Sequence, residues 1–252
     1  MKLRPTRFGP DRYGYAFEKI KESRSPRHLD IGCFDGSWIS EVSKFIPAEF
    51  HGVDLNAEAV ARGGKHSGIQ IRHVQDISRL PYDSGSFGSI SLMDVFEHLD
   101  AEQQSAVLSE ALRLLSPRGI FIVTVPGEHL FSFLDIGNFK FRFPRLHRFF
   151  VIKTRGKEFY DFHFVNNPHG LVGDISAKKR WHEHFTAERL SDILTSHGFE
   201  VADVDGAGFF MRPVMLASLV PSKSFRKLVS KIVSADYRLF SSANVFVTVT
   251  RS

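Results

Sequence analysis

A glycine-containing turn between a strand and a helix constrains the fold of this chain most. The run His28-Leu-Asp-Ile-Gly-Cys-Phe-Asp-Gly36 is apolar before its first glycine, and a helical pattern follows its second. Glycine has no Cβ, so the backbone N–H groups of such a turn can approach a ligand closely. A second strand pattern, Phe50–Asp54, ends in an acid eighteen residues after Gly36. In a βαβ unit that acid lies beside the turn, where it can bind a ribose diol. The pattern predicts an adenosine-type ligand.

Strand and helix patterns alternate along the chain, which predicts an α/β fold with a Rossmann-like, mostly parallel sheet and helices on both faces. Helices are predicted between the strands at residues 37–45, 57–64 and 102–115, and the last of these has its apolar residues spaced along one buried helical face. The predicted strands are Leu29–Gly32, Phe50–Asp54, Ile69–Val74, Ser89–Met93, Ile120–Val125, Phe199–Val204 and Asn244–Thr250.

A further helix is predicted after residue 184. Thr186 is the expected N-cap, and Glu188 would complete a capping box. Gly198 should end this helix, because glycine is the residue that most often follows a helix.

The composition bounds the class of protein. A chain of 252 residues with 42% hydrophobic content can bury the core of one domain, residues 1–252. Its one cysteine, Cys33, excludes an internal disulfide and fits a reducing compartment. No apolar run approaches the roughly 18 residues of a membrane span, and the N-terminus has no signal-peptide pattern. We therefore expect a cytoplasmic protein.

Two insertions interrupt the pattern, at residues 127–184 and 207–242. Residues 138–157 of the first carry seven basic residues and no acid, with five phenylalanines between them. Such a surface suits an anionic or lipid-linked acceptor or an anionic membrane, because cations attract phosphates while aromatic rings settle at the interface. Nucleic acid also fits, since rings stack on bases. An ordinary amphipathic segment, with its phenylalanines in the core, is the third interpretation. The second insertion includes a basic, amphipathic stretch, residues 225–233. Ordinary packing, cover for the acceptor pocket, membrane contact and a subunit contact are all open interpretations of this stretch.

Over residues 28–126 the chain resembles the class I S-adenosylmethionine-dependent methyltransferases, of the type that acts on small molecules or glycans. Their first motif, acid-x-Gly-x-Gly-x-Gly, corresponds to Asp30-Ile-Gly-Cys-Phe-Asp-Gly36, with Phe34 in place of the middle glycine. The family's later elements match the acid of strand two, the stretches 74–82 and 87–99, and the segment 114–125. The resemblance implies a seven-stranded sheet whose last strand is antiparallel.

The resemblance also implies S-adenosyl-L-methionine as cofactor and S-adenosyl-L-homocysteine as product. The glycine turn would cradle the amino-acid end of the cofactor, Asp54 would bind the ribose, and Asp76 with the N–H of Ile77 would recognise the adenine. Cys33 should be a small packing residue of the turn rather than a nucleophile. The implied cofactor-binding residues are Asp30, Gly32, Cys33, Phe34, Gly36, Asp54, Leu55, Asp76, Ile77, Asp94 and Val95.

Histidines supply the candidate catalytic groups. Glu97 and His98 follow the fourth strand, at the edge where open α/β sheets bind ligands, and His184 precedes the next helix. Either histidine could act as a general base for an acceptor hydroxyl, although methyl transfer depends mainly on alignment. Asp94, Glu97 and His98 could also hold a divalent metal. The same Glu-His turn occurs in the resembling family without metal, so we predict none.

The expected activity is methyl transfer to an oxygen or nitrogen of a saccharide, a lipid-linked glycan or a small metabolite. A non-catalytic scaffold with this fold and a membrane-recruited binding protein stay open, as does an RNA methyltransferase. A nicotinamide-dependent oxidoreductase would be expected to show Gly-x-Gly-x-x-Gly, which the turn lacks.

Overall fold

The computed structural model describes residues 8–165, 182–217 and 223–252. Parts of both insertions, residues 166–181 and 218–222, lie outside the described residues. The sheet has seven strands: β1 (Arg27–Ile31), β2 (Glu49–Asp54), β3 (Ile69–His73), β4 (Phe87–Met93), β5 (Leu115–Pro126), β6 (Phe199–Ala207) and β7 (Asn244–Arg251).

Some of the helices pack on the sheet, whereas those of the first insertion pack mainly on one another. The helices are α1 (Arg12–Ser23), α2 (Ser37–Ser43), α3 (Ala57–Gly63), α4 (Ala101–Leu114), α5 (Ile136–Arg142), α6 (Pro144–Arg155), α7 (Lys157–Phe164), α8 (Ala187–Ser196), α9 (Met211–Ala217) and α10 (Lys223–Leu239). Short 3-10 turns cover Phe96–His98 and Ser132–Leu134.

The strand order is β3-β2-β1-β4-β5-β7-β6. Pairing is parallel from β3 to β5, and β7 runs antiparallel to both β5 and β6. The predicted Rossmann-like sheet with an antiparallel last strand is thereby confirmed. The order reverses at β1, whose neighbours are β2 and β4, so the carboxyl ends of these three strands form the crevice at which such sheets bind ligands.

Alternation along the strands divides the core between the two faces. Phe121 and Val123 of β5 belong to the cluster packed by α4 and α8, whereas Ile122 belongs to the cluster packed by α1 and α2. Side chains of a strand point alternately to opposite faces, so the nearly continuous apolar run of β5 supplies buried side chains to both clusters. The sheet therefore gives the site a rigid base covered on two sides.

Helix α1 was not predicted. Asp11 caps its start by accepting a hydrogen bond from the N–H of Tyr13 at 3.0 Å, and Arg24 ends it in the left-handed conformation with φ +50°. Its buried face includes Tyr15, Phe17 and Ile20. The glycine that usually marks a helix end is absent here, which removed the sequence signal. The helix brings Arg12 to the ligand-binding edge of the sheet.

The helix after residue 184 is confirmed, but its capping box is wrong. Thr186 is the N-cap and accepts a hydrogen bond from the N–H of Arg189 at 3.1 Å. The third helical residue is therefore Arg189, and Glu188 stands one position too early to reach back to the cap. A capping box does exist on α4, between Asp100 and Gln103.

The phenylalanines of the basic segment do not all enter the core. Phe143, Phe149 and Phe150 are 54%, 63% and 44% exposed, on or next to α6. The third interpretation of this segment is wrong at these three positions, because α6 buries only the side chain of His147 among its residues. In the described ranges, no helix combines the length and apolar character needed to cross a bilayer.

Candidate functional site

The glycine turn holds its shape through three left-handed residues. The φ angles of Gly32, Phe34 and Gly36 are +80°, +54° and +70°. A Cβ added at Gly32 would lie 2.3 Å from Cγ2 of Val95, and one at Gly36 would lie 2.9 Å from side-chain atoms of β3. Both glycines are therefore required by close packing as well as by conformation. This turn lies at the carboxyl end of β1, in the crevice.

Asp54 holds the turn from the end of β2. Its Oδ2 accepts a hydrogen bond from the N–H of Phe34 and its Oδ1 one from the N–H of Asn56, both at 2.7 Å. Burial raises the pKa of Asp54, while these two hydrogen bonds act to lower it. The side chain is 9% exposed. The acid predicted to bind ribose thus also fixes the backbone path of the glycine turn.

Phe34 replaces the middle glycine of the motif but keeps a glycine-like conformation. Its φ of +54° is one that a residue with a Cβ rarely adopts, at a cost of about 1–2 kcal/mol. The hydrogen bond to Asp54 holds the backbone there, and the guanidinium of Arg62 lies 5.3 Å from the centre of the Phe34 ring. The substitution therefore changes the side chain at this point while the turn retains its path.

Replacing Phe34 with glycine should leave cofactor affinity within about threefold of the native value. The backbone already follows the path that glycine would take, and the conformational strain of about 1–2 kcal/mol is relieved. Calorimetric titration with S-adenosylhomocysteine measures this, with Arg62→Ala as a control that removes the cation over the ring. If Phe34→Gly instead tightens binding tenfold or more, the phenylalanine side chain blocks the site and the non-catalytic scaffold becomes the better interpretation.

Asp30 lies deeper, within the sheet. Its Oδ1 accepts a hydrogen bond of 2.5 Å from the hydroxyl of Ser91, which also contacts Nε2 of His28 at 3.1 Å. Burial raises the pKa of Asp30 to about 7, although the Ser91 hydrogen bond opposes this. The side chain is 4% exposed. Asp30 therefore ties β1 to β4 directly before the turn.

Cys33 packs behind the turn, against Gly52 of β2: a Cβ added at Gly52 would lie 2.6 Å from its Sγ. Burial raises the pKa of this thiol far above its usual value, which agrees with a packing residue.

The acid predicted to recognise adenine is exposed. Asp76 accepts hydrogen bonds from the N–H and the hydroxyl of Ser78, and these bonds lower its pKa. The neighbouring Ile77 is buried in the core, and Leu55 packs partly against the same cluster. Asp54 is therefore enclosed, whereas Asp76 faces solvent.

Asp94 and Val95 follow β4 and border the turn. Asp94 has a φ of +52°, and its Oδ2 lies 3.0 Å from Nη1 of Arg12 on α1. The hydroxyl of Thr124 donates to its other oxygen at 3.0 Å. Burial raises the pKa of Asp94, and the positive charge of Arg12 opposes this rise. The ion pair ties α1 to the crevice, a link that the sequence did not reveal.

The two candidate histidines belong to one polar cluster. The rings of His98 and His182 are 4.4 Å apart, and Nδ1 of His182 lies 3.4 Å from Oδ2 of Asp135. Nε2 of His184 lies 2.9 Å from the same carboxylate oxygen. Asp135 was not predicted, because it comes from the insertion and nothing in the local sequence marks it. The structure therefore joins His98 to His184 through His182 and Asp135.

Glu97 is buried beside this cluster. Its Oε2 has no hydrogen-bond partner among the described residues, and burial, followed by the charge of Asp94, raises its pKa well above the usual value. The described ranges contain no group of three or more acidic, histidine or cysteine side chains arranged to hold a metal ion.

A cavity opens next to His184. It has a volume of about 540 Å³, within the range of small-molecule sites, and its walls come from the first insertion and from Arg189 of α8. Its lining includes Glu128, Asn138, Phe141, His182, His184 and Arg189.

The hydrogen-bond acceptors of the crevice fit a nucleoside that carries hydroxyl and amino groups. Asp54 at the end of β2 and Asp76 in the segment after β3 carry acceptor oxygens. A ribose diol and an adenine amine supply matching donors. Gly32 and Gly36 pack closely against Val95 and the side chains of β3, which fixes the glycine turn at the carboxyl end of β1. Both features suit S-adenosylmethionine.

A family model described as a methyltransferase domain matches residues 7–204 of the chain. Over 99 residues the chain is 32% identical to a sterol 24-C-methyltransferase of Gibberella zeae, a match that covers 37% of this chain. The chain spans about a quarter of that curated relative, 26% of its length.

Two solved structures share the fold. An S-adenosylmethionine-dependent methyltransferase from Thermotoga maritima has a TM-score of 0.55 at 18% identity, covering 98% of this chain and 91% of the other. PKMT2 from Rickettsia typhi, solved with S-adenosylhomocysteine, has a TM-score of 0.56 at 16% identity, covering 96% and 52%. With the family model over most of its length, the chain belongs to the methyltransferase-domain family and is of the class I, S-adenosylmethionine-dependent type.

Proposed function

We propose that this chain transfers a methyl group from S-adenosylmethionine to an oxygen or nitrogen of a small-molecule acceptor. The observation that carries the proposal is the glycine turn, whose left-handed path is fixed by the carboxylate of Asp54. The residues that would hold the cofactor are Asp30, Gly32, Cys33, Phe34, Gly36, Asp54, Leu55, Asp76, Ile77, Asp94 and Val95.

In this proposal, Asp54 accepts hydrogen bonds from the ribose diol through lone pairs that the backbone leaves available. Asp76 and the N–H of Ile77 contact the adenine. Asp94 and Val95 form the floor of the cofactor pocket. Asp30 helps to hold the cofactor, through water or through a contact with its amine. Arg12 is an addition to the predicted set, because its ion pair orients Asp94.

The sulfonium cofactor, when bound, supplies an electrophilic methyl group. The protein has to align the acceptor with it and remove a proton from the acceptor hydroxyl or amine. His184 is suited to removing this proton, because Asp135 accepts from its Nε2 and Nδ1 is then the acceptor nitrogen of the neutral ring. An acid that orients the base in this way is a recurrent arrangement. His98 is the alternative base, at the far side of His182.

Replacing His184 with glutamine should lower methyl turnover about 100-fold, the usual contribution of a general base, while S-adenosylhomocysteine affinity stays unchanged. Asp135→Asn should produce a smaller loss, because the ring remains but its orientation is less fixed. The same assay on His98→Gln separates the two candidates. If His184→Gln keeps native turnover and His98→Gln loses it, the base is His98.

Two observations support a small-molecule acceptor. One relative is named for a sterol, which is a small apolar molecule, and the cavity beside His184 has the size of a small-molecule site. A saccharide or lipid-linked glycan stays within the proposal because of the basic, aromatic insertion. RNA is the third choice. A release assay for S-adenosylhomocysteine with sterols, lipid-linked saccharides, small metabolites and RNA as separate acceptor groups distinguishes these classes.

We also propose that α6 contacts anionic membranes. Leu146, Phe149 and Phe150 lie three and four residues apart and are exposed, so they share one face of the helix. Basic residues flank them, and Nζ of Lys153 lies 5.7 Å from the Phe149 ring. Apolar burial combined with attraction to acidic lipids is the usual basis of such contacts.

The double variant Phe149→Ser with Phe150→Ser should bind vesicles containing acidic lipid at least fivefold more weakly than the native chain. It loses the apolar anchors while the charge is unchanged. Co-sedimentation at low salt measures this, with Val204→Ser on β6 as the control for an exposed apolar residue elsewhere. Native binding should also fall at high salt. Failure of the native chain to sediment with acidic vesicles at low salt would remove the membrane proposal.

A further inference from the structure

Two buried hydrogen-bond donors near the candidate base have no acceptor within the described ranges. Arg212, on α9, is 7% exposed, and its Nη1 is buried without a partner. Nε2 of His129, in the segment after β5, is likewise buried and unpaired. A buried polar group without a partner is costly, so two of them in one place point to a ligand that supplies acceptors.

The tautomer of His129 follows from its hydrogen bonds. Its Nδ1 lies 3.3 Å from the backbone N–H of Phe131 and accepts from it. Burial, and then the positive charge of Arg212, lower the pKa of His129 to about 4, so the ring is neutral near pH 7. The proton of the neutral ring is therefore on Nε2, which makes the unpaired atom a donor.

Neighbouring carboxylates are already engaged. Asp135, whose charge acts to raise the pKa of Arg212, accepts from His184 and lies 3.4 Å from Nδ1 of His182. Asp236 accepts from the N–H groups of Phe209 and Phe210 at 3.0 and 2.9 Å. A ligand anion is the partner that would satisfy the guanidinium of Arg212, which forms charge-assisted bonds to carboxylates and phosphates.

Aromatic rings adjoin these donors. The ring of Phe209 lies 5.6 Å from that of His129, and it contacts the rings of Phe131 and Phe240 at 5.4 and 5.8 Å. Phe210 belongs to the same group, and Phe210 and Phe240 are both 42% exposed. A charged group bound at Arg212 would thus continue into an apolar surface that is open to solvent.

We infer that Arg212 and His129 bind the anionic group of an acceptor that also has an apolar body. The inference rests on the proposed function, since it assigns this subsite to the acceptor. Ser132, whose hydroxyl oxygen accepts a hydrogen bond from the N–H of His129 at 2.8 Å, lines the same cavity as His184, so the subsite adjoins the candidate base. A carboxylate or a phosphate would serve, because both offer the acceptor oxygens that the two donors lack.

The test uses three probes of equal chain length: octanoate, octyl phosphate and octanol. Each is titrated calorimetrically at moderate salt into the protein saturated with S-adenosylhomocysteine. At least one of the two anions should bind tenfold or more tightly than octanol, and the stronger anion identifies the head group. Arg212→Met should reduce that preference to twofold or less, whereas Arg212→Lys should retain part of it.

Arg118→Met is the matched control, because Arg118 is exposed near the start of β5, at the opposite edge of the sheet. It should keep the native preference. Arg212→Met should also melt at a temperature no lower than the native chain, because it removes a buried guanidinium whose Nη1 has no hydrogen-bond partner in the described residues.

Equal binding of octanol and both anions, no binding of any probe, or an anion preference that survives Arg212→Met would overturn the inference. So would a lower melting temperature of Arg212→Met, which would mean that the residue has a structural partner. Titration with S-adenosylhomocysteine alone is run on the native chain and on every variant. A native chain that does not bind S-adenosylhomocysteine but still prefers an anion to octanol would contradict the proposed function and leave the subsite standing.

Discussion

Replacing Asp54 with alanine is expected to weaken S-adenosylhomocysteine binding by about 100-fold or more. The carboxylate accepts two backbone N–H bonds of 2.7 Å, from Phe34 and Asn56, and in our proposal it also binds the ribose diol. Hydrogen bonds to a charged group each contribute about 1.5–3 kcal/mol. Since about 1.4 kcal/mol corresponds to a tenfold change in affinity, loss of the turn's support together with the ribose contact gives the stated effect.

Asp76→Ala is the comparison for this variant. Asp76 is exposed and its described hydrogen bonds are to Ser78 alone, so the backbone of the turn does not depend on it. We expect about a tenfold loss of affinity there. Calorimetry measures both variants, and circular dichroism shows whether each is folded. Equal losses at the two positions would mean that Asp54 does not organise the turn.

Gly32→Ala should lower the free energy of unfolding by about 3 kcal/mol. The left-handed φ of +80° costs a residue with a Cβ about 1–2 kcal/mol. The new methyl group would lie 2.3 Å from Cγ2 of Val95, and such overpacking adds about 1–3 kcal/mol. For a chain of this size the melting temperature should fall by about 6–12 °C.

Gly85→Ala isolates the conformational part of that loss. Gly85 has a φ of +66°, but a Cβ there would meet no atom within 4 Å. It should therefore lose about 1–2 kcal/mol, the cost of the left-handed conformation alone. Thermal and denaturant unfolding of the two variants give the difference. If Gly32→Ala is no less stable than Gly85→Ala, Val95 does not pack against the turn as described.

Much of the sheet could be predicted because its signal is local. Strands β1, β2 and β4 are short apolar runs that end at or directly before a Gly or Asp at the crevice, and each predicted strand has a counterpart within a few residues. The start of β5 was misplaced because Leu115 pairs with Phe87 before a register shift, a pairing that depends on the neighbouring strand.

The acceptor side was predicted less well, because its groups meet only in the folded chain. Asp135, His184 and Arg212 come from three separate segments, and the charge and histidine patterns there have several uses. Arg12 was missed together with α1, whose end lacks a glycine. The exposed phenylalanines of α6 illustrate the same limit, since helical periodicity alone does not tell whether an apolar face is covered.

Titration of the native chain with S-adenosylhomocysteine, beside NAD as a control, decides whether the crevice is a methyltransferase cofactor site. We expect saturable, one-to-one binding of S-adenosylhomocysteine and no measurable binding of NAD. A folded protein that binds neither S-adenosylhomocysteine nor S-adenosylmethionine, or that prefers NAD, would contradict it.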